Sequence, residues 1–445
     1  MTLPDRGRGS RLAGHPEIVA LLAGVLLPNA VHLLGIAADV GVPLRTPAFF
    51  LYLWVVLLAR RLPFAVACGT YLLVLAADIV WTLSATFHLT PLGILQALKF
   101  TSELNLAASP LYLALIAGVA SSTTTSLLLL ARHREALRQA SLVPALLATL
   151  ALAGGDVWTY ATGNVSFLTL RSAPAELDSA ARRSGFEQAV LAPGQRNALL
   201  VVVESLGAFA DPAHRELVLS AFGSRRLRAA YEVTSGTVPY FGATTSGELR
   251  ELCRSSQSYT TLTAEAARDC LPRRLAEAGR RTVALHAYTG QMFDRRDWYP
   301  LLGFQRMLFA EEMADTLHNR CGGVFTGLCD TEIGASLPRL LPPRPEGRFT
   351  YWLTLNTHAP IRPGDSQPRF GCDDGGGPFG QKEICLMAEL WADLMETVAA
   401  VALDARTQPL EVLIVGDHAP ALWSRRARAL FRPGEVSWVR LAPRG

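Results

Sequence analysis

The chain has 445 residues, half of them hydrophobic, with a mean hydropathy of +0.23, values too high for a uniformly soluble protein. Its formal net charge of +4 is mild, and the arginines stand in short clusters rather than along one basic face, which gives no footing to nucleic-acid binding. Apolar residues crowd the first 155 positions, and charge becomes frequent from about Arg171 onward.

In chain order, five apolar stretches come first: Ile18–Ala38, Ala48–Ala59, Leu62–Leu83, Leu111–Ala131 and Leu142–Gly154. A helix needs roughly 17–25 residues to cross the hydrocarbon core. The first, third and fourth meet that length, whereas the second and fifth are short enough to be re-entrant or interfacial on length alone. Charge placement decides between these readings. Arg6, Arg8 and Arg11 precede the first stretch, Arg60 and Arg61 follow the second, and Arg132, Arg134 and Arg138 follow the fourth. The remaining two loops hold only Arg45 and Lys99. With basic loops kept on the cytoplasmic side, the pattern predicts five spans of a bacterial inner membrane. The N-terminus is then cytoplasmic, and everything after Asp156 lies on the periplasmic, extracytoplasmic side. The further spans argue against a cleavable signal peptide. Phe87–Leu104, between the third and fourth stretches, reads as an amphipathic helix on the outer surface.

The predicted organisation is a five-span membrane domain over 1–156, a membrane-proximal linker over 157–198 and a catalytic domain over 199–445. The linker has helical character around Ala175–Gly185 and a turn at 192–194. Beyond it, strand and helix alternate. Ala198–Val203 is a wholly apolar run of the kind found in buried parallel strands. Thr282–His286, Phe349–Leu355 and Val412–Val415 are further predicted strands, with helices at Leu271–Ala278 and Cys385–Leu403. Parallel strands with helical crossovers imply an α/β sandwich, in which ligands collect at the C-terminal strand ends. Cys68 falls inside a predicted span as a lone thiol. The other six cysteines stand as sequence neighbours, Cys253 with Cys270, Cys321 with Cys329 and Cys372 with Cys385. In an exported domain they are expected as disulfides; fifteen connectivities are open, and the three local pairs are favoured.

Three predicted strands run straight into metal-type ligands. The first leads into Glu204, the third into Asn356–Pro360 with His358 at its centre, and the last into Asp417 and His418. Acidic and imidazole groups held together at a sheet edge suit zinc, ahead of manganese or magnesium. Phe241–Glu248 is rich in small hydroxyl residues and glycine, which suits a helix N-terminus that receives a phosphate. A threonine hydroxyl there becomes a nucleophile only when its alkoxide is stabilised. Each residue also has an ordinary structural reading: Glu204 as a helix cap, Asp417 and His418 as a turn, His286 and His358 as core histidines, and Arg295 in a surface ion-pair cluster with Asp294, Arg296 and Asp297.

The order of these motifs resembles the alkaline phosphatase/sulfatase superfamily, and within it the branch of lipoteichoic acid synthases and lipid phosphoethanolamine transferases. The resemblance implies a sulfatase-like catalytic domain behind a five-span helical membrane domain. It implies Glu204, Asp417 and His418 as ligands of one divalent metal, with the nucleophilic threonine as the fourth. Thr244 stands four residues before Glu248, as in the synthases, with Thr245 as its neighbour and competitor. His286 and Arg295 match a substrate-contacting pair in the phosphoglycerol-transferring enzymes, where Phe293 takes the place of a tryptophan. His358 matches a substrate-side histidine that assists proton transfer. There are departures: no histidine follows His418, and Glu204 is followed by Ser205-Leu206-Gly207 where the phosphoethanolamine enzymes have Thr-Ser. The paired cysteines, by contrast, are closer to those enzymes than to the synthases. Cys270–Arg274 also fits the short sulfatase signature in which the cysteine becomes formylglycine, but it lies beyond the nucleophile turn and Cys270 has Cys253 as a partner.

The resemblance thus implies a transferase that moves phosphoethanolamine or phosphoglycerol from a membrane phospholipid, through a phospho-threonine, to an envelope glycan or lipid. The alternatives are a membrane-anchored sulfatase or phosphodiesterase that passes the group to water, and an inactive membrane scaffold or sensor that retains the fold.

Overall fold

The computed structural model describes residues 15–38, 40–41, 43–87, 89–162, 177–193, 197–340, 347–407 and 409–444. Arg6, Arg8 and Arg11, and positions 163–176 and 194–196 of the expected linker, lie outside them. The chain forms two compact units, Met1–Thr86 with Pro110–Phe167, and Phe87–Ser109 with Leu168–Gly445.

The first unit is helical. Its first apolar stretch is not one straight helix. Pro16–Leu21 continues through a π-helical turn at Leu22–Leu26, breaks, and resumes as Ala30–Ala37 with a 67° bend. Pro28 sits in the break, where its ring and missing N–H end the hydrogen-bond ladder. The Asn29 side chain donates to the carbonyl of Val25 at 2.7 Å. Thr46–Ala59 has 14 residues, Phe64–Thr86 and Pro110–Arg132 have 23 each, and Val143–Thr162 has 20. Among the described residues, two helices are long and apolar enough to cross a membrane, or three if the bent pair is one span.

This apolar unit buries charge. The Arg45 guanidinium grips both carboxylate oxygens of Asp78, with Nε at 2.9 Å from Oδ1. Asp156 accepts the Arg45 N–H and the Thr46 hydroxyl, both at 2.8 Å, at the start of the helix Thr46–Ala59. The ring of His32 stands 3.6 Å from Asp156. Hydropathy cannot show such pairs, because the partners lie 33 and 111 positions apart. Removing one partner leaves a buried charge unpaired. Asp78→Asn should therefore lower stability in detergent by about 3–5 kcal/mol, and the double change Arg45→Met, Asp78→Leu should recover most of it. Thermal unfolding of the purified variants checks this.

The second unit is built on an eight-stranded sheet. Its strands are β1 (Asn197–Val203), β2 (Gly207–Phe209), β3 (Tyr231–Pro239), β4 (Arg281–His286) and β5 (Arg306–Leu308), followed after a small hairpin of β6 (Arg320–Cys321) and β7 (Gly327–Leu328) by β8 (Arg348–Leu353), β9 (Leu410–Gly416) and β10 (Phe431–Pro443). The order is β2-β10-β9-β1-β8-β4-β5, with β3 paired to β10. From β9 to β5 the strands are parallel, and β10 runs antiparallel to its neighbours.

Alternate residues of β1 enter two separate cores. Leu199, Val201 and Val203 face the long helix Lys382–Leu403, and Ala198, Leu200 and Val202 face the opposite layer. Both faces of the parallel strands are thus covered, which explains their wholly apolar runs. The register sets Val203 beside Gly416 and Leu353 beside His286. The chain therefore leaves β1, β9, β8 and β4 at one edge of the sheet.

Candidate active site

Glu204, Asp417 and His418 emerge side by side at that edge, and one ligand atom from each lies within 4.8 Å of the others. All three are buried, between 0% and 6% exposed. The His418 Nδ1 donates to the carbonyl of Ala419 at 2.8 Å. That bond fixes the tautomer and leaves the Nε2 lone pair aimed inward, 3.5 Å from Glu204 Oε1 and 3.4 Å from Asp417 Oδ2. Asp417 Oδ2 has no hydrogen-bond donor. Burial, reinforced by the Glu204 charge, pushes the Asp417 carboxyl up to about 7. Burial lowers the pKa of His418, but the charges of Asp417 and Glu204 overcome it and raise the imidazole above its ordinary value. Two covered carboxylates, one of them with an orphaned oxygen, and one oriented imidazole fit a divalent cation, with a nitrogen and oxygen donor set of the zinc or manganese type.

Thr244 joins this cluster. It opens the helix Thr244–Cys253, where no side chain caps Ala243. Its hydroxyl donates to Glu204 Oε2 at 3.2 Å and lies 3.4 Å from His418 Nε2. Thr245 is buried one position further along the helix. The structure thus brings Glu204, Thr244, Asp417 and His418 together.

Several supports were not legible as site residues. Ser205, at φ 59°, turns the chain sharply after β1; its N–H donates to Asp417 Oδ1 and its hydroxyl to Glu204 Oε1, both at 2.8 Å. Thr354 accepts the Glu204 N–H at 3.0 Å, and the Thr357 hydroxyl donates to the Glu204 carbonyl. Arg250, fully buried, reaches from the helix Thr244–Cys253 to the carbonyls of Gly416 and Asp417 at 2.7 and 3.0 Å. Gly247 permits that approach, since a Cβ there would stand 2.8 Å from Asp417 Cα and Cβ.

His358 is half-buried beside the cluster. Its Nδ1 donates to the carbonyl of Ala359 at 2.7 Å, and its ring lies 4.2 Å from that of Phe325. Burial lowers its pKa to about 4, with His418 adding to the effect. Asp330 sits behind, with Oδ2 accepting the N–H groups of Leu355 and Asn356 at 2.9 and 2.7 Å. Burial pushes its carboxyl up to about 7.

Arg295 and His286 are both buried in the second unit. Arg295 is not on the surface; it is 2% exposed. Its Nε and Nη2 donate to Glu248 Oε1 at 3.1 and 2.7 Å, and Nη1 donates to the Met292 carbonyl at 3.2 Å. Glu248, completely buried, also accepts the hydroxyls of Tyr299 and Tyr351. The Glu248 carboxylate, 47 positions away, claims the guanidinium and ties it to the helix that begins at Thr244. His286 donates from Nδ1 to the Leu353 carbonyl at 3.0 Å; burial first, and then the charge of Arg295, hold it neutral.

The three local cysteine pairs are disulfides, Cys253–Cys270, Cys321–Cys329 and Cys372–Cys385, and Cys68 is free. Cys270 is thus unavailable as a formylglycine precursor.

No family model and no curated protein matches the sequence. Solved structures do. The integral membrane lipooligosaccharide phosphoethanolamine transferase A of Neisseria meningitidis is 12% identical, covering 96% of this chain and 88% of its own, with a TM-score of 0.47. The phosphoglycerol transferase GacH of Streptococcus pyogenes, solved with sn-glycerol-1-phosphate, is 17% identical over 58% of this chain and 72% of its own, with a TM-score of 0.42. The periplasmic domain of EptC from Escherichia coli, solved as a zinc complex, is 14% identical over 57% and 74%, with a TM-score of 0.39.

Two outcomes follow from the geometry. Gly247→Ala should force the helix Thr244–Cys253 off the β9 end and weaken zinc binding by about 10–100-fold while the protein stays folded, as isothermal titration and circular dichroism would show. Metal must also displace protons from Asp417 and His418, whose pKa values are raised, so acid opposes binding. Zinc affinity should rise from pH 6 to pH 8 with proton release at the lower pH; affinity that is flat across this range would contradict the ligand set.

Proposed function

We propose that the chain transfers a phospho-alcohol head group from a membrane phospholipid to a hydroxyl of an envelope glycan or lipid, through a covalent phospho-Thr244. The observation that carries this reading is the Thr244 hydroxyl, held by Glu204 and His418 inside a buried ligand set. Phosphoethanolamine and phosphoglycerol, the head groups named for the similar structures, are the two candidates. Five spans, with the second unit on the extracytoplasmic side of a bacterial inner membrane, would keep the site beside a diacyl donor that cannot leave the bilayer.

Glu204, Asp417 and His418 would hold the ion, with Thr244 as the fourth ligand and zinc ahead of manganese or magnesium on the donor set. When bound, it supplies Lewis-acid stabilisation of the threonine alkoxide and of charge on the phosphoryl oxygens. Thr244 Oγ forms a bond to phosphorus as the bond from phosphorus to the diacylglycerol oxygen breaks, and that oxygen takes up the proton given up by the threonine. In the second step the acceptor hydroxyl attacks phosphorus, and Thr244 Oγ leaves and is reprotonated. His358, unprotonated at neutral pH with Nδ1 committed to Ala359, has Nε2 free to accept the acceptor's proton. Arg295, through its ion pair with Glu248, fixes the start of the nucleophile helix.

The test uses phosphatidylethanolamine and phosphatidylglycerol labelled in the acyl chain, presented separately to the solubilised protein. Metal-dependent release of labelled diacylglycerol from one of them is expected, reduced by about 10³-fold or more in Thr244→Ala and retained in Thr245→Ala. Release unaffected by Thr244→Ala would reject this nucleophile. Turnover of aryl sulfates or soluble phosphodiesters, with no release from either lipid, would favour the hydrolase.

A further inference from the structure

Residues 87–109 connect the two 23-residue apolar helices, Phe64–Thr86 and Pro110–Arg132, yet they belong to the second unit. They form a short helix, Pro91–Ala97, capped by the Thr90 hydroxyl, and two 3₁₀ turns, Leu98–Glu103 and Leu106–Ala108. One side of this segment is built into the unit. Ala97, Phe100 and Leu104 pack into the core on one face of the sheet. The Phe100 ring meets Phe293 edge-on at 5.7 Å, and Lys99 Nζ reaches the Asp294 carboxylate at 2.6 Å. The Tyr288 hydroxyl donates to the Glu103 carbonyl, and the Asn105 N–H donates to Val324 at 2.9 Å.

The other side is apolar and uncovered. Leu92, Leu95 and Leu98, spaced three apart on one face, are 63%, 51% and 55% exposed, and Leu106 follows at 37%. Among the described residues, these four are all of the large apolar side chains that the second unit leaves exposed. A domain that buries its apolar residues so completely elsewhere has no reason in water to present four leucines on one segment. Chain continuity identifies what covers them. At both ends the segment is joined in sequence to the two helices long enough to cross a membrane, so both ends are held at a bilayer surface.

We propose that Leu92, Leu95, Leu98 and Leu106 enter the lipid leaflet that the second unit faces, at the boundary of head groups and acyl chains. The segment is then a membrane foot of the second unit itself, not a free helix resting on the bilayer. It also reaches toward the site. Phe293 and Asp294, which Phe100 and Lys99 hold, are consecutive non-glycine residues at φ 56° and 53°, a conformation that persists only when neighbours enforce it. Arg295, the partner of Glu248 on the nucleophile helix, comes next. A foot seated in lipid therefore steadies the strained turn that positions Arg295.

The test needs no substrate, so its failure is distinct from failure of the transferase reading. The full chain carrying Cys68→Ser and Leu95→Cys is nitroxide-labelled and placed in phospholipid nanodiscs, with Gln96→Cys as the exposed polar comparison. Power-saturation EPR should show the Leu95 label favouring oxygen over a water-soluble nickel chelate by about tenfold more than the Gln96 label, and Leu98→Cys should repeat this. Equal access of the nickel chelate to both labels would overturn the proposal. So would dipolar broadening at Leu95 in proteoliposomes that is lost on dilution with unlabelled chain, since a second copy would then cover the leucines.

Discussion

Val203 pairs with Gly416 in parallel register, so Glu204 and Asp417 leave the sheet side by side, and much of the second unit's polar structure is organised around that adjacency. Two carboxylates under cover repel each other and have lost water. The surroundings supply fixed donors: the Ser205 N–H to Asp417, the Ser205 hydroxyl to Glu204, and Arg250 on the carbonyls of Gly416 and Asp417. These donors orient the carboxylates without neutralising them. His418 Nε2 and the Thr244 hydroxyl converge on the remaining oxygens, and the charge left over is what a divalent ion satisfies.

The helix Thr244–Cys253 is held at three levels. Gly247 lets its backbone touch Asp417, Arg250 pins it to the β9 end, and Glu248 anchors it to Arg295, Tyr299 and Tyr351 on the far side. The disulfide Cys253–Cys270 then ties its last residue to the start of the helix Leu271–Glu277. Such layered support holds the Thr244 hydroxyl close to Glu204 and His418.

Parts of this were legible in the sequence for clear reasons. The central strands announce themselves because both faces are buried, so β1, β4, β8 and β9 are mostly apolar and match the expected runs to within a few residues. The three disulfides follow the local pairs. β3 was illegible because only Tyr231 and Val238 of its nine residues are buried, and β10 because Pro433 and Gly434 interrupt it. Arg250 and Asp330 escaped notice because they act on backbone groups 166 and 25 positions away, which no local pattern records. The ion pair of Arg295 with Glu248 was not legible, because the two lie 47 positions apart. Phe87–Leu104 carries the amphipathic signal, but only the fold shows that its inner face belongs to the second unit. The bend in the first apolar stretch was marked by Pro28, which an average over hydropathy overlooks.

The central claim is that Thr244 becomes covalently modified by the donor's head group. Its most direct test is peptide mass spectrometry of protein quenched after incubation with phospholipid donor and zinc, without acceptor. The account predicts a head-group phosphate on the peptide that begins the helix Thr244–Cys253, with fragmentation assigning it to Thr244 and chase with acceptor removing it. An adduct on Thr245 or on another residue, or turnover of the donor with no adduct formed, would contradict it.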